Sequence, residues 1–395
     1  MKNIAICVLC FLLITAMLGC NKQTNQEANT TENQASQPTL DTTVIGTATQ
    51  KPIVSISLPT VNQSQTASDG NVIFNYIYQN ISLIVPDPEV ANNVIVDFLN
   101  RIDQTADDAE LILNAAKNDY KIASDWSPYL CQITYEPMRI DYGVLSLHGS
   151  YIAYRGAAHP ETVYKSICYD LTSGKALQLT DILAENADYN TLYQKTIDAL
   201  KPQANIKYLY EDYEATVKER FSNGATNESH WYLTENGLCF YFSPYEIAPY
   251  ASGLITAEIP YNQLTGVLND AYFPLEQEGA FGKIQSSAFD IKSAEQYTQF
   301  AEVVINQNSN KILLHTEHAA YHVKIESGSW NSSGTEFTPE CTIFASYSLT
   351  PGDAIMLEAD FGSGLPKYRL TYDSNNKTIT NYISYNKDTG TVTLS

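Results

Sequence analysis

The 395-residue sequence predicts an α+β fold: two α+β modules with antiparallel sheets, followed by a small, mainly β module. Three observations lead to this prediction. Strand and helix patterns follow one another as β–α–β and then β–α–α–β between residues 52 and 264. From about residue 284, strand signals alternate with turn sequences such as TPGDA and SNNK. The chain is also too long for one small domain.

The first α+β module is expected over residues 51–158. Its opening segment PIVSISLP alternates as a strand, and residues 72–84 continue in strand-rich sequence. Asp87-Pro88-Glu89 then supplies an N-cap, a proline at the first helical position and an acid in the first turn. Apolar residues recur at helical spacing to about Lys121, and tyrosine-rich strands follow over residues 131–154.

The second α+β module is expected over residues 159–270, and the mainly β module over residues 284–395. A strand over 162–171 leads through a hairpin-like turn to a short helix that begins near Leu177. Two further helical patterns precede a return to strands over 230–264, where Glu235-Asn236-Gly237 forms a tight turn. The second module is therefore predicted to place its helices between strands.

The first fifty residues predict export and attachment to a membrane through lipid. An early lysine precedes an apolar stretch over residues 4–18 that is too short to span a bilayer comfortably. Met17-Leu18-Gly19-Cys20 resembles a bacterial lipobox. Residues 1–19 are therefore expected to be a lipoprotein signal peptide and Cys20 the lipid attachment site, with cleavage beside an unmodified cysteine as the alternative. Residues 20–50 have few large apolar side chains and predict a disordered tether on the outward face of a bacterial cell membrane.

The charge balance limits the classes of partner. The sequence has 23 Lys and Arg against 44 Asp and Glu, a formal net charge of -21. So acidic a protein disfavours nucleic acid and anionic wall polymers and favours cationic proteins, although the charge would equally maintain solubility. The cysteines beyond the tether show no metal motif and allow three disulfide pairings, and buried free thiols are the preferred interpretation. These cysteines are Cys131, Cys168, Cys239 and Cys341.

Two histidine features are candidates for chemistry. His159 stands before Pro160-Glu161, but no second histidine or cysteine motif lies at metal-ligand spacing from it. This favours a loop histidine bonded to backbone. His315, His318 and His322 would share one face of a helix and could bind a metal there, but the flanking sequence predicts strands. They are weak metal candidates, and no cofactor is expected.

No sequence motif indicates an enzyme. The chain contains no Gly-x-Ser-x-Gly, His-Glu-x-x-His, P-loop or Rossmann glycine motif. Carboxylates are plentiful, but their spacing indicates no glycosidase pair. A non-catalytic protein is expected, with a cell-wall-modifying envelope hydrolase and a structural docking component of a surface assembly as alternatives.

Aromatic residues are the strongest indication of a binding surface. Most of the 28 tyrosines are expected to pack within sheets, as tyrosine commonly does. In SPYEIAPYASG, two prolines stiffen a segment that would present Tyr245, Glu246, Ile247 and Tyr250 to a partner. The hypothetical ligand-binding residues also include Pro249 from this segment and Tyr154, Arg155, Gly156, His159 and Pro160 from the histidine loop.

Two segments carry a resemblance: YRGAAHPETVYKSICYDLTSGKALQLTDIL, which begins at Tyr154, and WYLTENGLCFYFSPYEIAPYASGLITAEIPYNQL, which begins at Trp231. They resemble paired bacterial extracytoplasmic domains of unknown function. The pair occurs in the ectodomain of the anti-sigma-V lysozyme receptor (RsiV) and in the non-catalytic region of a peptidoglycan deacetylase. The likeness covers about residues 51–268. Where that family usually has Gly-Gly-Ala-His, this chain has Gly156-Ala157-Ala158-His159.

The resemblance implies an α+β ectodomain that recognises a ligand at the cell wall, which in one relative is lysozyme. Together with the predicted lipid anchor, it implies a non-catalytic surface protein. Its expected partners are a cationic protein such as a lysozyme, or cell-wall glycan in the form of a peptidoglycan fragment. The expected contact with the membrane is through lipidated Cys20.

Overall fold

Four β-sheets organise the part of the chain that the computed structural model describes, which comprises residues 53–121, 126–222, 230–290, 292, 295–362 and 364–395. Lys51–Ser395 forms one compact unit. The fold is mostly β, with 44% of residues in strands and 21% in helices. Within these ranges no helix has the length and apolar character needed to cross a membrane. The predicted signal peptide, Cys20 and the tether lie outside the described residues.

The elements are numbered in chain order. The helices are α1 (Pro88–Asp103), α2 (Ala106–Asp119), α3 (Leu179–Ile182), α4 (Tyr189–Leu200) and α5 (Tyr213–Ser222). The first ten strands are β1 (Ser55–Ser57), β2 (Thr60–Thr66), β3 (Val72–Gln79), β4 (Ser82–Ile84), β5 (Tyr129–Ile140), β6 (Val144–Tyr154), β7 (Glu161–Asp170), β8 (Lys175–Ala176), β9 (Trp231–Leu233) and β10 (Gly237–Phe242). The others are β11 (Ile255–Pro260), β12 (Ile284–Ala288), β13 (Gln299–Val304), β14 (Asn310–Thr316), β15 (Ala320–Trp330), β16 (Phe337–Leu349), β17 (Asp353–Ala359), β18 (Tyr368–Ser374), β19 (Lys377–Asn386) and β20 (Thr391–Leu394).

The first sheet has the strand order β2-β3-β5-β6-β7-β8 and is packed against α1 and α2. The predicted start of α1 is confirmed, because the Asp87 carboxylate accepts a hydrogen bond from the backbone N–H of Glu89 at 2.8 Å. Helix α1 then buries Val90, Val94, Phe98 and Ile102, which lie at helical spacing. Strands β3 and β5 are parallel, because α1 and α2 form the crossover between them. The sheet is therefore mixed, where the sequence predicted antiparallel pairing.

The expected boundary at residues 158/159 falls within the turn of a long hairpin. Strands β6 and β7 pair antiparallel from Val144↔Asp170 to Ala153↔Glu161. The predicted second module thus contributes β7 and β8 to the first sheet. Its remaining strands form a second, antiparallel sheet of order β11-β10-β9, which shares a core with α3, α4 and α5.

Two further sheets share one core in the C-terminal part of the described chain. Their strand orders are β20-β19-β18-β15-β16-β1-β4 and β12-β14-β17-β13. The first of them includes β1 and β4, because Ile56 of β1 pairs with both Ala345 of β16 and Leu83 of β4. In the sheet β12-β14-β17-β13, strands β13 and β17 are parallel, so this sheet is mixed as well. The mainly β region over residues 284–395 is thus completed by strands from the beginning of the described chain.

Arg139 joins the first sheet to the segment that follows the second sheet. Its side chain is 1% exposed, and its Nε donates to the Asp141 carboxylate at 2.7 Å. The guanidinium also donates to the Tyr261 hydroxyl at 2.7 Å, to the Tyr272 carbonyl at 2.6 Å and to the Phe273 carbonyl at 3.1 Å. A buried charge is tolerated when it is paired and fully hydrogen-bonded in this way.

The cysteines of the described chain are free thiols. Cys131, Cys168 and Cys239 are buried, and Cys341 is half-buried. Burial raises the pKa of the Cys131 thiol to about 11 and the pKa values of the Cys168 and Cys239 thiols to about 12. These thiols are therefore protonated at neutral pH and act as small apolar side chains.

Candidate functional site

The histidine loop is the turn of the β6–β7 hairpin. Gly156 has a φ of 75°, in the left-handed region that glycine adopts without a steric penalty. A Cβ at this position would lie 3.2 Å from the ring of Tyr129. Ala157 has no positive φ, so alanine is accepted where the resembling family usually has its second glycine.

The His159 and Tyr250 rings stack between the histidine loop and the loop at residues 243–250, and the Tyr245 ring packs at a tilt beside Tyr250. The His159 ring lies 4.5 Å from the Tyr250 ring, with 28° between their planes, and the Tyr250 ring lies 5.6 Å from that of Tyr245. The Tyr250 hydroxyl donates to the Pro160 carbonyl at 3.3 Å, and His159 Nδ1 is 3.1 Å from the same oxygen. The two loops are thus held together by stacking and by a shared backbone acceptor.

A cleft of about 330 Å³ opens beside this stack. Its charged side chains are Arg155 and Glu161, and Arg155 forms no ion pair with any residue that the structure describes. The lining residues are Ala153, Arg155, Ala157, His159, Pro160, Glu161, Thr162, Pro244, Tyr245 and Tyr250. Apolar surface with a few polar groups is the usual lining of a ligand site.

Tyr245 projects from the second loop in a strained conformation. Its φ is 70° and its side chain is 63% exposed, whereas bulky residues seldom adopt a positive φ. Its backbone N–H donates to the Ala248 carbonyl at 2.9 Å, which closes the turn. Next to it, the Glu246 carboxylate accepts from the Ser243 backbone N–H at 2.9 Å and forms an ion pair with Arg220. These bonds fix the exposed tyrosine in place.

The structure separates the predicted site residues into two groups. Arg155, His159, Pro160, Tyr245 and Tyr250 line the cleft, and Gly156 supplies the turn that carries the first three of them.

The other predicted residues have structural surroundings. Ile247 is fully buried in the second core, so the expectation that it is presented to a partner is wrong. The Glu246 carboxylate is likewise directed at Arg220. Tyr154 packs edge-on against Tyr129, with 6.3 Å between the ring centres. Pro249 is half-buried and precedes a short 3-10 helix. The two prolines indicated a stiff loop, but they could not show which of its side chains point into the protein.

The three C-terminal histidines have separate surroundings. His315 packs against the Tyr297 ring at 5.6 Å, and His318 lies in the turn between β14 and β15. The two ring nitrogens of His322 face different carboxylates, with Nδ1 at 2.9 Å from Asp373 and Nε2 at 3.1 Å from Glu235. Across the described ranges, no group of three or more His, Cys, Asp or Glu is arranged to hold a metal ion.

Sequence reasoning missed two exposed apolar residues close to this site. Ile206 is 74% and Tyr208 75% exposed, and Tyr208, like Tyr245, has a positive φ, of 54°. Their segment is bound to the second loop: the Tyr210 N–H donates to the Ile247 carbonyl at 2.9 Å. The available signal was the presence of large apolar residues in a stretch without helical or strand periodicity.

A cluster of aromatic and histidine rings lies between the first and second sheets. His148 stacks on Tyr164 with ring centres 5.9 Å apart and lies 4.8 Å from Tyr241, which in turn lies 5.2 Å from His230. His148 Nε2 and His230 Nδ1 are buried and form no hydrogen bond within the described chain. Burial lowers the pKa of both histidines to about 4. Both rings are therefore neutral at neutral pH.

Replacing His148 by phenylalanine is expected to reduce the loss of stability on acidification. The pKa of His148 is about 4 in the folded protein and 6.5 in an unperturbed chain. As the pH falls, the unfolded chain therefore binds a proton at this histidine before the folded protein does. The free energy of unfolding therefore falls as the pH drops from about 6.5 towards about 4, and the variant lacks this contribution. Urea unfolding of both proteins at about pH 7 and about pH 5 measures this change in the free energy of unfolding. Tyr164→Phe should keep the parental pH dependence, and parallel pH profiles for His148→Phe and the parent would contradict the prediction.

Part of the chain that forms this cleft matches a known protein family. Residues 180–262 match the family described as a protein of unknown function, DUF3298. This match runs from α3 to β11 and includes the loop of Tyr245 and Tyr250. The chain thus contains a DUF3298 domain.

Comparison with individual proteins gives partial matches. A stretch of 119 residues is 29% identical to peptidoglycan-N-acetylmuramic acid deacetylase PdaC of Bacillus subtilis (strain 168). The match covers 30% of this chain and 25% of the deacetylase, so this chain spans a quarter of that relative's length. Two solved DUF3298 structures each match 55% of this chain with a TM-score of 0.39. One is from Bacteroides fragilis NCTC 9343, with 19% identity over 94% of its length, and the other from Pseudomonas aeruginosa PAO1, with 18% identity over 98%.

Proposed function

We propose that this is a non-catalytic, lipid-anchored protein of the bacterial cell surface that binds an envelope ligand through the cleft beside His159, Tyr245 and Tyr250. The ligand is a lysozyme-like cationic protein or a peptidoglycan fragment. Cys20 would carry the lipid, and residues 20–50 would hold the folded unit away from the headgroups.

The observation that carries this proposal is the strained, exposed Tyr245 at the mouth of a cleft. A left-handed conformation costs about 1–2 kcal/mol for an ordinary residue, and such strain concentrates at functional sites. Tyrosine gives a large contact area with few rotatable bonds, and it is enriched among the residues that dominate binding energy. The ion pair of Glu246 with Arg220 holds the ring in position before the ligand arrives.

Two further observations support an envelope ligand. The DUF3298 match includes the Tyr245 loop, and the curated relative is named as a peptidoglycan deacetylase. The sequence also has no recognised catalytic motif, which supports a binding role. The net charge of -21 would steer a cationic partner to the surface, and this effect should weaken with salt.

Binding by Lys51–Ser395 tests the proposal. We expect it to bind a cationic lysozyme or a muropeptide, with lysozyme binding weaker at about 200 mM than at about 50 mM salt. Tyr245→Ala and Tyr250→Ala should each lower the affinity about tenfold or more, because each removes a rigid aromatic contact. Leu111→Ala removes an equally exposed apolar side chain from α2 and should leave the affinity unchanged.

Any of three results would contradict the proposal. One is the absence of binding to both probes at either salt concentration. Another is turnover of peptidoglycan by the purified protein, which would support the envelope hydrolase instead. The third is retained affinity in both tyrosine variants, which would show that the ligand binds outside this cleft.

A further inference from the structure

We infer that one face of the β19–β20 hairpin is a second binding site, for an uncharged oligosaccharide. The inference goes beyond the proposed function, because this hairpin lies outside the segments that carry the resemblance and outside the DUF3298 match. Its starting observation is a cavity of about 510 Å³ between the hairpin and the segment around Pro366, larger than the cleft beside His159. A volume of this size is typical of small-ligand sites.

Strand register places a row of polar side chains on one face of the hairpin. Alternate residues of a strand share a face, and so do residues directly opposite each other in an antiparallel pair, such as Ser384 and Thr393. The polar face therefore consists of Tyr382, Ser384, Asn386, Thr391 and Thr393. All of these except Tyr382 line the cavity. Tyr385 takes the opposite face and borders the cavity from the side of the core, with its ring 5.9 Å from that of Phe361.

A second aromatic ring stands beside the polar face. The half-buried ring of Trp330 lies 4.9 Å from that of Tyr382, with 48° between their planes. Its Nε1 donates to the carbonyl of Pro366, a residue that lines the cavity, at 2.8 Å. Sugar rings pack the face that carries their C–H groups against aromatic rings and direct their hydroxyl groups to polar neighbours. The two rings and the polar face together meet both needs.

The polar face and the turn that follows β19 have hydrogen-bonding groups to spare. The hydroxyl groups of Ser384 and Thr393 and the carboxylate of Asp388 form no hydrogen bond with any described residue. The Asn386 Oδ1 accepts from the Asp388 N–H at 2.9 Å, which leaves the Asn386 amide hydrogens available. Donors and acceptors next to one another match a ligand that carries many hydroxyl groups, because each hydroxyl both donates and accepts.

The cations beside the polar face are already paired. Lys367 and Lys387 contact the Asp360 carboxylate, with N–O distances of 3.4 and 3.6 Å. Arg369, which lies opposite Tyr382, pairs with Glu326 at 2.8 Å. No unpaired cation therefore lines the cavity within the described chain, so an anionic ligand would find no counter-charge there. The net charge of -21 opposes an anionic ligand as well.

The remaining carboxylates of this region suit hydroxyl groups. Asp388 lines the cavity, Glu336 is exposed just before Phe337, and Glu340 accepts from the Ser329 hydroxyl at 2.6 Å. A carboxylate accepts hydrogen bonds from hydroxyl groups, whereas it would repel the carboxylates of a muropeptide. An uncharged oligosaccharide is therefore the ligand class that fits both the rings and the charges.

Titration of the Lys51–Ser395 protein with four neutral sugars tests the inference: cellotetraose, maltotetraose, xylotetraose and chitotetraose. By calorimetry we expect at least one of them to bind with a dissociation constant below about 1 mM. The affinity should differ less than about twofold between about 50 and about 200 mM salt, because the ligand has no charge to be screened.

Two variants locate the site. Trp330→Ala should lower the affinity about tenfold or more, because it removes a large aromatic contact. Ser384→Ala with Thr393→Ala should lower it about fivefold or more, because two hydrogen bonds to the ligand are lost. Unchanged thermal unfolding of the Ser384/Thr393 variant would show that the protein is intact.

The matched control is Thr371→Ala with Thr380→Ala. This variant also removes two hydroxyl groups that lie opposite each other, on β18 and β19, but outside the cavity lining. It should change the affinity less than about twofold, and so should Tyr245→Ala in the cleft beside His159.

Three results would overturn the inference. The first is the absence of binding to all four sugars. The second is an equal loss of affinity in the Ser384/Thr393 and Thr371/Thr380 variants. The third is a loss of sugar binding in Tyr245→Ala with retained binding in Trp330→Ala, which would place the sugar in the cleft. The proposed function is tested separately by lysozyme and muropeptide binding, so either proposal can fail without the other.

Discussion

Replacing Arg139 by methionine is expected to lower the free energy of unfolding of Lys51–Ser395 by about 3–5 kcal/mol. The guanidinium is fully buried and donates to Asp141, Tyr261 and the Tyr272 and Phe273 carbonyls. Methionine has a similar length but no donor, so the variant leaves a buried carboxylate and two carbonyls without this partner. A buried charge whose counter-ion is removed is strongly destabilising.

Urea unfolding followed by tryptophan fluorescence measures this effect. Arg101→Met is the matched control, because Arg101 also pairs with an aspartate, Asp97, but at a half-exposed position of α1. It should cost no more than about 1 kcal/mol, as surface ion pairs do. Equal losses in the two variants would contradict the role assigned to the Arg139 network.

Replacing Arg220 by methionine is expected to affect both stability and ligand binding. Arg220 pairs with Glu246, donates to the Tyr241 carbonyl at 2.8 Å and lies 4.2 Å from the centre of the Phe242 ring. Burial lowers its pKa to about 10, which still leaves it charged at neutral pH. Losing these charge-assisted bonds should lower the free energy of unfolding by about 2–3 kcal/mol.

The same change should weaken ligand binding, although Arg220 does not line the cleft. Without Arg220, Glu246 loses one of the bonds that fix the turn on which Tyr245 stands, so the ligand would have to order part of this loop on binding. Lys201→Met, which breaks the exposed pair with Asp198 at the end of α4, should affect neither property measurably. A loss of stability in Arg220→Met with unchanged affinity would show that the ion pair has no positioning role.

Much of the local structure could be predicted from the sequence because its causes are local. The N-cap at Asp87 and the period of α1 are examples: a carboxylate two residues before a backbone N–H, and apolar residues on one helical face. The turn at residues 235–237 occurs where polar residues and a glycine interrupt strands. The strand pattern over residues 162–171, the helical patterns after it and the strand patterns over 230–264 also occur in the order of β7, α3 to α5 and β9 to β11, although β7 belongs to the first sheet.

The arrangement of these elements could not be predicted, because strand pairing depends on contacts far apart in sequence. Strand β1 was expected in the first module, yet it joins β16, about 290 residues away, because Ser55 pairs with Ser346. The hairpin β6–β7 likewise places the histidine loop within the first sheet, where a boundary between modules was expected.

The candidate site shows the same division between features that the sequence predicts and features that depend on distant contacts. The sequence by itself indicated the two loops, since histidine, proline and tyrosine among small residues indicate rigid, exposed turns. It also determined the acidic charge that favours a basic partner. Only the tertiary structure decided that Tyr250 stacks on His159 while Ile247 is buried and Glu246 turns to Arg220. The physical reason is that residue type and spacing specify local conformation, whereas the direction of each loop side chain depends on hydrogen bonds and packing from distant strands and helices.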